Sequence, residues 1–355
     1  MDKITYSTLS SVDKKNLFKA LYEVDQETGA HDPRSSEEDL WNWNYLDLPN
    51  GESITSVANQ GNKVVGYYHL PIFEAKINNK TCKLGHVQSV GVLSEYRKNK
   101  VFQQLAQFAN LEADKKTDIL YAFPNDNSIH TFIKYCNFEF VSELPMYVLP
   151  IKSKNLISSI IPLPWLSHFM GFLIDSLFSI FKSKLSKDYK IVRLDDIDQE
   201  TENLFLNFGT KYDVATLRNK SFLSWRYGDQ RKGNYHFFGL KKNNYLVAAV
   251  VIKEEEFLSN KGLIIMDLAF NSSEDLMALL VNLDRNHFDN DNSFILLSGN
   301  FNHMKDCFKS GFVKVPSFLV PRKLNFLVRW INSSSRKNNT NLSSYLVTLG
   351  DWDVF

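Results

Sequence analysis

Two stretches in opposite halves of this chain resemble one another, and that repetition limits the available folds more than any other feature. "DLWNWNYLDLPNG" begins at Asp39 and "SFLSWRYGDQRKGNY" at Ser221, so Trp43 matches Trp225 and Tyr45 matches Tyr227. Further along, "ILYAFPNDNSIHTFIKYCNF", ending at Phe138, matches "FILLSGNFNHMKDCFKSGF", ending at Phe312. Each of the later pair reads as an apolar strand, a polar turn, an amphipathic helix and a step into another strand. Repetition on this scale implies a duplicated domain, not a solenoid of small units. Strand-like runs such as "KVVGYYHLPIFEAKI" and "YLVAAVVIKEEEF" lie between the markers. The expected fold class is α+β, or mixed α/β: two domains, each a central mixed sheet flanked by helices.

The chain has 355 residues, enough for two domains of ordinary size. The expected division is residues 1–150, a connector over 151–188, and residues 189–355. The connector holds the most apolar run, "LISSIIPLPWLSHFMGFLIDSLFSIF", Leu156 to Phe181. Pro162 and Pro164 break it early, and His168 and Asp175 interrupt the rest, which leaves too little to span a bilayer. Two readings stand: amphipathic helices packed between the domains, or a peripheral membrane contact through 156–181 flanked by Lys152, Lys154, Lys182, Lys184 and Lys187. A net charge of +1 gives no electrostatic case for nucleic acid. Cys82, Cys136 and Cys307 are odd in number and form no CxxC, which suits a reducing compartment. The N-terminus lacks an apolar signal core, so the expected location is the cytoplasm.

The stretch "VGVLSEYRKNKVFQQLAQFA", starting at Val90, begins as a strand and ends as a helix, with Arg97, Lys98 and Lys100 at the helix mouth. The helix dipole makes that mouth partly positive, so cations there do not stabilise the helix. They make sense if an anion binds at the free N–H groups. A solvated turn is the plain alternative.

Together these landmarks resemble the GNAT acyltransferase superfamily. "HVQSVGV" running into "SEYRKNKVFQQL" looks like the family's strand–loop–helix signature, "LYAFPNDNS" leads into the next helix, and "YCNFEFV" looks like its Gly-Phe-Glu step. The likeness covers Thr5 to Pro150 and, more faintly, Tyr189 to Pro321. It implies an acyl-CoA co-substrate, acetyl-CoA or a longer one, and no metal. Its diphosphate would lie on the backbone of Arg97, Lys98, Asn99, Lys100, Val101 and Phe102. Its pantetheine arm would run along Val90 and Val92. Lys100 stands where the family has Gly, and Phe102 where it has Gly or Ala. A side chain at either place clashes or, for Lys100, adds a phosphate contact. Relatives place an Asn near Asn125 and Asn127 facing the arm, while Asn127 and Ser128 also suit a helix cap. No phenol stands at the family's general-acid position, near Ile133.

Strand alternation puts His86, Gln88, Val90 and Val92 on one face, and His86 is a candidate general base because it titrates near neutral pH. A strand histidine with a structural hydrogen bond is the plain alternative. Trp41, Trp43 and Tyr45 read as a core plug that could also wall an acceptor pocket. In the second half, Glu274 and Asp275 take the place of the cationic loop. Anions there favour a helix N-terminus and repel a diphosphate. That half therefore reads as a degenerate copy. The tail "LVTLGDWDVF" is acidic and aromatic, and Asp353 could take a proton from a cationic amine or hang in solvent.

The expected function is acyl-CoA-dependent N-acyl transfer, acetyl transfer to an amine of a small molecule or sugar. The alternatives are a Fem-type aminoacyl transferase, which also joins two GNAT-like halves, and a non-catalytic scaffold built from two decayed copies.

Overall fold

The structure is a computed structural model. It describes residues 3–9, 18, 22–24, 26–27, 38–152, 188–228, 233–257, 260–283, 292–300, 311–317, 320, 323–331 and 341–352. The connector stretch 153–187, Cys307 and Asp353 lie outside these residues.

Contacts divide the chain into two units. The first takes Met1–Glu143, Asp213–Leu217 and Arg322–Ser344. The second takes Leu144–Tyr212, Arg218–Pro321 and Tyr345–Phe355. The sequence reading ran each domain along one continuous stretch. Here each unit borrows segments from the other's stretch.

In the first unit, β1 (Ile4–Thr8), β2 (Ser53–Gln60) and β3 (Lys63–Ile77) pair antiparallel in turn. The far half of β3 pairs with β4 (Lys80–Val87), and its near half with β5 (Val90–Val92). β4 and β5 are thus one strand interrupted at Gln88–Ser89. His69 on β3 spans the break: its N–H donates to the Ser89 carbonyl at 2.9 Å, and its carbonyl accepts from the Gln88 N–H at 3.2 Å. β4 then pairs in parallel with β6 (Ile119–Ala122). Beyond β6 comes β16 (Asn325–Trp330), antiparallel to β6 and to β7 (Glu139–Glu143). The short β10 (Val214–Thr216) pairs with the far end of β3.

Among the described residues, helices with defined bounds serve this sheet. In α1 (Glu38–Tyr45), Trp41 and Tyr45 stand one helical turn apart and stack at 5.1 Å. The helix α2 (Val101–Ala113) buries Val101, Leu105, Ala106, Ala109 and Ala113, a stripe at helical spacing. The small alanines let it lie close to the sheet. The third, α3 (Ile129–Cys136), is tied to α2 by buried Asn110, whose amide donates to the Cys136 carbonyl at 3.3 Å.

The second unit repeats this order. β9 (Tyr189–Arg193), β11 (Tyr235–Lys242), β12 (Tyr245–Phe257) and β13 (Asn260–Phe270) pair antiparallel in sequence. β13 pairs in parallel with β14 (Phe294–Asn300), which pairs antiparallel with β8 (Met146–Pro150), and β8 with β15 (Val313–Lys314). Among the described residues its helices are α4 (Gln199–Gly209), α5 (Lys220–Tyr227) and α6 (Ser273–Asn282). Both units therefore run four antiparallel strands, then a parallel pair, then two more antiparallel strands. In both, the sixth place is filled from afar: β16 in the first, β8 in the second. The chain's last strand, β17 (Tyr345–Thr348), pairs with the end of β14.

Candidate active site

The parallel pairing of β4 with β6 ends at Val87 and Ala122. Past that point β5 follows β3 alone, while the chain after β6 turns into Phe123, Pro124 and Asn125. Two parallel strands that part leave a split between them, with one edge of β5 facing it. Gly91 lets β5 lie tight on β3, because a Cβ there would meet Val24 Cγ1 at 2.8 Å and Tyr67 Cε1 at 2.9 Å.

His86, Gln88 and His69 stand beside the split. His86 is buried, with its ring edge-on to Phe123 at 5.4 Å, and Gln88 Nε2 points at its Nδ1 from 3.5 Å. The Gln88 Oε1 is buried with no hydrogen-bond partner among the described residues. The expected single face of His86, Gln88, Val90 and Val92 does not continue unbroken, since the interruption at Gln88–Ser89 resets the alternation. Val92 packs into the core and Val90 against it.

Sequence reasoning missed His69. It is fully buried, its Nδ1 lies 2.8 Å from Thr55 Oγ1, and its ring packs on Tyr45 at 4.1 Å. Burial pushes its pKa down to about 3, against a hydrogen bond to the Asn44 backbone, and nearby His86 adds to the lowering. The ring is neutral at any physiological pH. It sits in an apolar strand run, "YYHLP", which carries no local sign of a polar role.

At the mouth of the split, Ser94–Asn99 form a 3₁₀ turn that hands over to α2 at Lys100. Lys100 has φ 58° and ψ 19°, in the left-handed region. This is why the family's glycine belongs here: the conformation costs a non-glycine residue about 1–3 kcal/mol. Lys100→Gly should therefore raise the stability of the ligand-free protein by about 0.5–1 kcal/mol. Urea unfolding measures it, and a loss of stability would mean that the lysine side chain makes a compensating contact.

Helix α2 has no side-chain cap bond at Lys100 and no acidic residue in its first turn. The start of α3 is likewise without a side-chain cap, whereas Asp198 caps α4, Asn219 caps α5, and Ser272 with Asp275 forms a reciprocal capping box on α6. The start of α2 therefore carries no side-chain cap, and a helix mouth of this kind can take an anion. Arg97 is exposed, and its Nε donates to the Val92 carbonyl at 3.0 Å, fixing the cation beside β5. Glu27 accepts from the Ser94 N–H at 2.9 Å and holds the start of the turn. The ring of Phe102 packs edge-on against Phe132, so it lines the core while its N–H belongs to the helix mouth.

Asn125 makes a turn just ahead of the next helix. Its Oδ1 accepts from the N–H groups of Asn127 at 3.1 Å and Ser128 at 3.0 Å, and from the Ser128 hydroxyl at 3.0 Å. A cap from Asn127 or Ser128 was the expectation, but Ser128, which stands at the N-cap position, makes no side-chain cap bond. Trp41, Trp43 and Tyr45 are all buried, as a plug requires. Burial pushes the Cys136 thiol up to about 12, which rules out a ready thiolate there.

Residues 13–131 match the family described as "Acetyltransferase (GNAT) domain". Over that stretch the chain is similar to a GNAT domain. The match takes in the split, the cationic turn and all of α2. No curated protein matches the chain. Among solved structures, the whole chain resembles a GCN5-related N-acetyltransferase from Anabaena variabilis, with TM-score 0.65 and 10% identity over 94% of this chain and 74% of that one. A probable N-acyltransferase from Enterococcus faecalis gives TM-score 0.67 and 8% identity over 94% and 74%. Saccharomyces cerevisiae N-myristoyltransferase with bound myristoyl-CoA gives 0.57 and 11% over 93% and 83%. At such identities the likeness is one of fold. It confirms a mixed-sheet α/β fold over nearly the whole chain. No described helix is long and apolar enough to cross a membrane.

Proposed function

We propose that the chain is an acyl-CoA-dependent N-acyltransferase made of two GNAT-type copies, with one acyl-CoA held by the first. The observation that carries this is the uncapped start of α2, reached through a cationic turn at the mouth of the β5/β6 split. The matched GNAT domain and the acyltransferase names of the structural relatives support it.

The N–H groups from Arg97 to Phe102 would hold the diphosphate, with Arg97, Lys98 and Lys100 supplying charge. The exposed edge of β5, Val90 to Val92, would bond the arm, with the Val92 carbonyl already engaged by Arg97. Acyl-CoA supplies an activated acyl group and a thiol leaving group. His86 would accept the proton of the acceptor amine, directly or through water, as the nitrogen attacks. Gln88 beside it offers Oε1 as an acceptor that can orient the amine N–H. Neutral His69 keeps the backbone break in place. In this reading the acceptor is a small-molecule amine, such as an amino sugar, and the acyl group is acetyl.

Titration calorimetry with acetyl-CoA tests the reading and should give one site per chain. Arg97→Ala and Lys100→Glu should each weaken binding by about 1–3 kcal/mol, the reversal more than the truncation. If neither acetyl-CoA nor longer acyl-CoAs stabilise the wild type at millimolar concentration, the scaffold reading replaces this one.

A further inference from the structure

The second unit has a split of its own. Pairing of β13 with β14 ends at Ile265 and Leu297, while β13 runs on beside β12 to Phe270. The place is not empty. Gly299 and Asn300 at the end of β14 pair with Thr348 and Val347 of β17. The following turn, Leu349–Asp351, meets β13 through Asp267.

The contacts are those of a ligand in a fitted site. Tyr345, Leu346, Val347, Leu349 and Trp352 are all buried. Asn300 Nδ2 donates to the Tyr345 carbonyl at 2.7 Å. Arg226 donates to the carbonyls of Gly350 at 3.2 Å and Trp352 at 2.8 Å. Arg218 donates to Asp351 Oδ2 at 2.6 Å and to Thr348 Oγ1 at 3.1 Å, and the Thr348 hydroxyl donates to Asp267 Oδ1 at 2.7 Å. Gly350 is a close-approach glycine: a Cβ there would stand 2.1 Å from Tyr227 Oη and 2.4 Å from Asp267 Oδ2.

The charges complete the case. The surrounding walls hold two buried arginines, Arg218 and Arg226, and one buried aspartate, Asp267. The segment brings Asp351, the carboxylate that balances them.

We propose that the split of the second unit is a peptide-binding site whose ligand is the chain's own C-terminal segment, Tyr345–Trp352. It recognises an apolar strand followed by a glycine and then an aspartate. It is closed to acyl-CoA because it is already occupied. The sequence reading blamed loss of the cofactor on Glu274 and Asp275; the occupant is a separate and sufficient reason.

The test separates the segment from its covalent attachment. A protease recognition sequence is inserted after Asn338 in the full chain, and the purified protein is cut. The C-terminal fragment should co-elute with the body on gel filtration. The cut protein is then unfolded, freed of the fragment and refolded with a synthetic peptide of residues 341–355. The native peptide should restore the thermal midpoint of the cut protein. A peptide with Gly350→Val should need at least 100-fold more for the same effect, and one with Asp351→Asn at least 10-fold more. Separation of the fragment from a body that stays folded would overturn the proposal. So would equal rescue by all three peptides, or rescue by none. Acyl-CoA binding is measured separately, so a failure here leaves the transferase reading standing, and the reverse.

Discussion

Arg218→Ala should cost about 3–5 kcal/mol of stability in the second unit, the usual size when one partner of a buried charge cluster is removed. Arg218, Asp267 and Asp351 have side chains 2%, 2% and 5% exposed. Burial works against the Arg218 charge, but the two carboxylates outweigh it and hold its proton more tightly than usual. Removing the guanidinium leaves two aspartates face to face out of water. Urea unfolding followed by Trp352 fluorescence would report it. Asp351→Asn should cost less, because Asp267 still faces Arg218. A loss under about 1 kcal/mol for Arg218→Ala would mean that water reaches the carboxylates, contrary to their burial.

The second large effect is a loss of stability in mild acid that depends on His69. The folded protein holds this ring with a pKa of about 3, whereas an unfolded histidine titrates near 6.5. Between those values the unfolded chain binds a proton that the folded chain refuses, so stability falls as the pH falls. None of this penalty is felt above about pH 6.5, and it stops growing below about pH 3. By pH 5 it amounts to about 2 kcal/mol relative to pH 7. His69→Gln, which carries no titratable group, should lose about that much less between pH 7 and pH 5, although it starts from lower stability. Parallel slopes for the two proteins would show that the ring is protonated in the fold and that another group carries the acid response.

Much of the site could be read locally. Arg97, Lys98 and Lys100 sit within four residues, and the apolar stripe of α2 follows at once, so the proposed anion site can be read in a short window. The duplicated tryptophan segments and the strand–turn–helix pairs likewise sit in short windows, and the mixed-sheet architecture follows from them. What stayed hidden depends on distant residues. Arg218 meets Asp267 and Asp351 across 49 and 133 residues, and no local pattern marks that meeting. The left-handed Lys100 could be inferred only as a missing glycine. Asn125 makes the turn ahead of α3 because a side-chain carbonyl can serve the N–H groups two and three residues on. The expected cut at Pro150 followed the repeat in the sequence. The first unit recruits β16 from far beyond that point, because a strand completes a sheet by pairing, wherever it comes from in the chain.

That borrowed strand has a consequence during synthesis. When Glu143 leaves the ribosome, β6 still lacks its partner on one side and β7 has no central neighbour. Both wait for Asn325–Trp330. At about 5–20 residues per second, the wait for Trp330 is on the order of 10–40 s. For that time the nascent chain exposes open strand edges able to pair with any other chain at hand. A truncation anywhere before Trp330 would therefore leave the beginning of the molecule as incomplete as its end.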